Sequence, residues 1–78
     1  MTVIISPNPA TQNSTIQIKA ETDFTTAVIF DISGREILQT TCNSNHTSIN
    51  MAGLTKGIYL LQLNGKENAK AVRKIIIQ

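Results

Sequence analysis

Tryptophan is absent from this sequence, and cysteine and histidine occur once each. A single cysteine, Cys42, closes no internal disulfide, so no disulfide framework holds the fold. One cysteine and His46 fall short of the ligands that zinc asks for. Nor do Cys42 and His46 make a catalytic pair. In a strand, residues four apart lie roughly 13 Å from each other, beyond hydrogen-bond reach, though an intervening turn would let them approach. Cys42 reads instead as a small apolar or edge residue. Acidic residues are too sparse for a calcium site, which needs six to eight oxygens. Glu21, Asp23 and Glu67 read as solvated loop residues, with Asp31 at a turn, so general acid–base work has no candidates. Neither Ser33-Gly34 nor Ser48 sits in a nucleophile elbow, and Gly-rich phosphate loops are missing. The expectation is a non-enzymatic chain with no metal and no cofactor.

Charge is also scarce, at 15% of residues, with a net +2 and a pI near 9.0. The cations Lys19, Arg35, Lys56, Lys66, Lys70, Arg73 and Lys74 are scattered, and only the last three cluster. The aromatics are Phe24, Phe30 and Tyr59, too few to interleave with cations as a base-stacking surface requires. No nucleic-acid partner is expected. Long apolar runs are lacking too. Thr2-Val3-Ile4-Ile5 stops at Ser6-Pro7, too short for a signal-peptide core. Ile75-Ile76-Ile77 cannot span a membrane, so membrane insertion is not expected. Two matches to the glycosylation triplet, at Asn13 and Asn45, carry no weight in a chain this rich in Asn and Thr.

What is present is β-branched. Valine, isoleucine and threonine number 25 of 78 residues. Branching at Cβ stiffens χ1 and suits a pleated surface better than a helix. Seven short strands are predicted: Thr2 to Ile5, Asn13 to Ala20, Thr25 to Ile32, Glu36 to Cys42, His46 to Asn50, Gly57 to Asn64 and Asn68 to Gln78. Pro7-Asn8-Pro9 ends the first, because proline removes a ladder donor. Ile16 and Ile18 alternate with polar residues, the mark of a half-buried strand. Thr25 to Ile32 is apolar on both faces, as a central strand, or one with a partly covered outer face, would be. Asp31 to Arg35 reads as a tight turn, with Gly34 supplying a positive φ. Asn43-Ser44-Asn45 reads as a loop and Asn64-Gly65 as a turn.

Short strands at near-regular spacing point to an all-β sandwich or small barrel of one domain, residues 1–78. A domain this small buries only about 60% of its unfolded surface, so its stability is modest. The expected core is Ile16, Ile18, Ala27, Ile29, Ile37, Ile49, Leu54, Tyr59, Leu61 and Leu63. The phase of the last strand is open, since Ala71, Ile75 and Ile77 compete with Val72 and Ile76.

Four pieces in register now form a pattern. They are Ser6-Pro7-Asn8-Pro9-Ala10 followed by Ile16 and Ile18; Ala27 to Arg35, ending Ser33-Gly34-Arg35; Ile49-Asn50 with Leu54 to Leu63, including Gly57 and Tyr59; and Lys74-Ile75-Ile76-Ile77-Gln78. Nearly the whole chain resembles the type A C-terminal sorting domain of the bacterial type IX secretion system of Bacteroidetes. The resemblance implies a seven-strand antiparallel immunoglobulin-like β-sandwich at the end of a larger secreted cargo protein. It implies passage through the periplasm by a signal peptide on the cargo, and a secreted or cell-surface destination. The implied partners are the type IX translocon, outer-membrane shuttle proteins and a sortase-like surface peptidase that removes the domain and anchors the cargo. The family's motif positions fall on Pro7, Asn8, Pro9, Gly34, Arg35, Leu54, Gly57, Tyr59, Lys74, Ile75, Ile76, Ile77 and Gln78. The junction with cargo is expected at or before Met1.

Each position also has a plain structural reading. The prolines shape a loop, the glycines serve backbone geometry, and Tyr59 belongs to the core with a hydrogen-bonded hydroxyl. The terminal strand carries the strongest expectation of recognition, through an edge offered to a partner. Competing functions are an adhesin-like or carbohydrate-binding sandwich, for which three aromatics give little material, and a structural spacer.

Overall fold

Alternation and β-branching produce strands throughout, and they are longer than expected. The computed structural model describes residues 2–78, so the expected junction at Met1 lies outside the described residues. Five strands form: β1 (Val3–Ser6), β2 (Thr15–Asp31), β3 (Glu36–Asn50), β4 (Gly57–Gly65) and β5 (Lys70–Ile77). A short 3₁₀ turn, Lys66–Asn68, joins β4 to β5. All five belong to one antiparallel sheet of order β1-β2-β4-β5, with β3 pairing β2 off this path.

The seven-strand count is therefore corrected. The segments ending at Ala20 and starting at Thr25 are one strand, as are those flanking Asn43-Ser44-Asn45. Both expected loops stay extended, with Glu21 bonded across the sheet to Thr2 and Ser44 bonded two residues along its own strand to His46. The Glu21 amide donates to the Thr2 carbonyl at 3.2 Å, and the Thr2 amide donates to the Glu21 side chain at 2.9 Å. The Ser44 hydroxyl donates to the His46 carbonyl at 2.7 Å and accepts from its amide at 3.1 Å.

The two junctions bend the sheet instead of breaking it. Register between β2 and β3 shifts between Lys19 and Phe24 and again between Phe24 and Thr26. A bulge adds a residue to one strand, bends it and reverses which parity faces inward. Before the bend, Ile16, Ile18 and Ala20 point into the core; after it, Ala27 and Ile29 do. Thr25 is the residue left without a directly opposed partner on β4. Its hydroxyl donates to the Asn64 carbonyl at 2.9 Å. The first half of β2 pairs with β1, and the second half pairs with β4. The curled sheet encloses one apolar cluster drawn from both halves.

That cluster contains the expected Ile16, Ile18, Ala27, Ile29, Ile49, Tyr59, Leu61 and Leu63. Ile37 and Leu54 are only partly buried against it, and Phe24, Met51, Ile75 and Ile77 join it. The phase of β5 is thereby settled: Ala71, Ile75 and Ile77 point inward. Asn64-Gly65 is not the turn; both residues pair with β2, and the chain reverses one step later. There Glu67 and Asn68 take positive φ values of 58° and 63°.

Candidate recognition site

Pro7 and Pro9 lack backbone donors, so the segment between β1 and β2 cannot form an ordinary ladder there. Asn8 supplies the missing pair from its side chain, which carries a donor and an acceptor. Its Nδ2 donates to the Lys74 carbonyl at 3.0 Å, and its Oδ1 accepts the Ile76 amide at 3.2 Å. Backbone bonds continue the seam. Ala10 donates to the Ile76 carbonyl at 2.8 Å, Gln78 to the Ala10 carbonyl at 2.7 Å and Gln12 to the Gln78 carbonyl at 3.2 Å. The Ser6–Pro7 and Asn8–Pro9 peptide bonds are cis. Ala10 is buried and bridges Ile77 in parallel. The edge of β5 from Lys74 to Gln78 is therefore already paired. What this stretch offers outward is the exposed side chains of Lys74 and Gln78 and half of Ile76.

The second motif region is the turn from β2 to β3. Asp31 organises it from one carboxylate. Its Oδ1 accepts the Ser33 amide at 2.9 Å, the Ser33 hydroxyl at 2.6 Å and the Arg35 amide at 3.0 Å. Its Oδ2 pairs with Arg35 Nε at 3.2 Å. The Ser33 hydroxyl bond, followed by the Arg35 amide, holds the Asp31 carboxyl below its ordinary pKa of 3.8. Gly34 sits at φ +91°, a conformation an L side chain resists, though a methyl group there would meet open space.

Beside this turn lies an open cleft of about 330 Å³, lined by Asp31, Arg35, Ile37, Gly53, Leu54, Thr55 and Tyr59. Tyr59 is 7% exposed, and its hydroxyl donates to the Thr55 carbonyl at 2.7 Å. Burial with a satisfied hydroxyl is what an aromatic with a polar tip requires. Leu54 is half-buried, with its amide bonded to the Met51 carbonyl at 3.2 Å. Arg35 is largely exposed and carries the cleft's positive charge. Gly57 begins β4 at φ +154°.

The sheet register joins these regions. Asp31 lies opposite Tyr59, and Tyr59 lies opposite Ile75. Gly57 faces Ile77 and Leu60 faces Lys74. Asn8 then bonds across the far side of β5. Asn8, Asp31, Gly57, Tyr59 and Ile75 to Ile77 thus meet at one end of the sheet, where β2 and β5 finish and β4 begins, whereas Ile16, Ile18 and Ile49 of the same pieces lie along the first half of β2. Sequence reasoning did not place Asp31 or Thr55 in this site. Asp31 was legible as a turn acid, but nothing in the local pattern announced that Thr55 would receive the Tyr59 hydroxyl.

Elsewhere the chemistry is plain. The Cys42 sulfur lies 3.5 Å from the His46 carbonyl oxygen. Among the described residues no three His, Cys, Asp or Glu side chains gather as a metal site would need. No helix among them is long and apolar enough to cross a membrane. A smaller cavity, about 110 Å³ and lined by Asp23, Phe24, Thr25, Asn43 and Lys66, lies at the opposite end of β4.

Residues 4–78 match the family described as the secretion system C-terminal sorting domain. The endo-acting ulvan lyase of Formosa agariphila is 35% identical over 77 residues, covering 97% of this chain. The chain spans about 15% of that relative's length. With the match running through both the Asn8 seam and the Tyr59 cleft, the chain belongs to the family of type IX secretion C-terminal sorting domains.

Proposed function

We propose that this chain is a non-enzymatic address that carries an attached cargo protein across the outer membrane by the type IX system. The observation that supports this reading is the convergence of the motif positions at one end of the sheet, in a chain whose family is a sorting domain. A signal read by another protein needs a defined surface, not a catalytic group. Residues 1–78 act as one unit at the end of a larger secreted protein, as the matched region of the lyase is a small part of that chain. We read the curled sheet as an immunoglobulin-like sandwich in which β2 and β3 each serve both layers. The translocon and the outer-membrane shuttle proteins engage the end formed by Arg35, Leu54, Lys74 and Gln78. A sortase-like surface peptidase then removes the domain and the cargo is anchored at the cell surface.

Reporter export tests this. Residues 2–78 are fused to the C-terminus of a Sec-exported fluorescent protein, in a host with a working type IX system and in its translocon-null mutant. Surface or medium fluorescence confined to the working host is the expected result. Periplasmic retention in both hosts, with the domain folded, would replace the sorting reading with a binding or spacer module.

A further inference from the structure

The outward face of the sheet is not uniform. Around the first half of β2 it carries Thr15, Gln17, Lys19, His46, Ser48 and Asn50, all exposed and polar, as a solvated antiparallel face should. Around the second half it is apolar. Ile58 and Val72 are each 47% exposed and Leu60 37%, with Phe30 and Ile76 partly exposed beside them. Register places them together: Phe30 opposite Leu60, and Ile58 opposite Ile76. A contiguous patch of this kind marks a contact surface.

The charges at its margins say what fits it. Across β3, β2, β4 and β5, one row reads Glu36, Phe30, Leu60, Lys74. The acid and the base stand at opposite ends, about 14 Å apart at three strand spacings. A two-fold axis lying between two such faces, parallel to the strands, reverses the row. It sets Glu36 of one copy over Lys74 of the other, twice, and Phe30 over Leu60. The neighbouring row, Gln39, Val28, Gln62, Val72, sets glutamine over valine when reversed, so the charged row carries the match. Self-complementarity of this kind is the requirement of an isologous dimer.

We infer that the apolar face of β2, β4 and β5 pairs with the same face of a second copy of this chain, with Glu36 and Lys74 fixing the register. Only five apolar side chains, Phe30, Ile58, Leu60, Val72 and Ile76, form the face, so the dimer is weak and concentration-dependent.

Sedimentation equilibrium on the purified chain, in a concentration series reaching the millimolar range, tests this independently of export. The mean mass is expected to rise from monomer toward dimer. Glu36→Lys alone and Lys74→Glu alone should each weaken association about tenfold, because each places like charges together twice. The double exchange should restore it. Leu60→Ser should lower association further, and since all three side chains point away from the core, melting curves should confirm that each variant is folded. A monomer at every concentration would overturn the inference. A dimer indifferent to Leu60→Ser, or one the double exchange fails to restore, would overturn it as well.

Discussion

The Asn8 carboxamide holds the Ile76 amide at 3.2 Å, joining residues 68 positions apart in the chain. With the bond from Nδ2 to Lys74, one side chain does what a pair of backbone groups does in a ladder. Asn8→Ala should therefore cost about 1 kcal/mol, the usual net worth of exposed hydrogen bonds of this kind. Asn8→Asp keeps the acceptor for Ile76 but loses the donor to Lys74. Urea midpoints should place it no higher than Asn8→Ala near neutral pH, because a carboxylate oxygen then faces the Lys74 carbonyl.

The Asp31 turn predicts an acid-sensitive fold. Its carboxyl titrates below the ordinary 3.8 when folded, first because of the Ser33 hydroxyl. The folded state thus binds that proton less readily than the unfolded state. The stabilisation is complete above the unfolded value and drains as pH falls through the folded one. Asp31→Asn should be less stable than wild type near neutral pH. The gap should close below the ordinary carboxylate range. A gap that persists unchanged in acid would mean that the carboxylate's charge contributes nothing.

Tyr59 separates packing from hydrogen bonding. Tyr59→Ala should destabilise by roughly 3 kcal/mol through the lost ring. Tyr59→Phe should cost about 1 kcal/mol, since it leaves the Thr55 carbonyl without its phenol donor. A thermal melt of Tyr59→Ala resembling wild type would remove the residue from the core.

Deleting Lys74 to Gln78 removes Ile75 and Ile77 from the core and strips the partner from residues 8–12. The truncated chain should lose its cooperative melt, so failed export of that variant would report unfolding and not lost recognition. Lys74→Ala is the cleaner experiment. Its side chain is exposed, its melt should match wild type, and reporter export should fall if the site is read there.

Where one face is apolar and the other polar, the sequence was readable. Ile16 and Ile18 against Gln17 and Lys19 left a single choice of phase, and the structure made it. In β5 both faces are apolar, so Val72 and Ile76 competed with Ile75 and Ile77. That ambiguity and the exposed patch have the same cause. The bulge at Thr25 and the pairing of Ser44 with Phe24 were not legible, because they depend on partners across the sheet. The motif positions were visible as pieces. Their meeting at one end required register, and the bond from Asn8 to β5 required a turn that no local pattern describes.

The seam between residues 8–12 and 74–78 has a consequence for timing. Its first half leaves the ribosome long before its second, and the Asn8 side chain has no partner on β5 until residue 76 has been added. The same holds for Ala10, whose bonds are to Ile76 and Gln78. A nascent or prematurely stopped chain therefore lacks this surface altogether. Any receptor that reads it also verifies that residues 8–12 and 74–78 are both present and folded together.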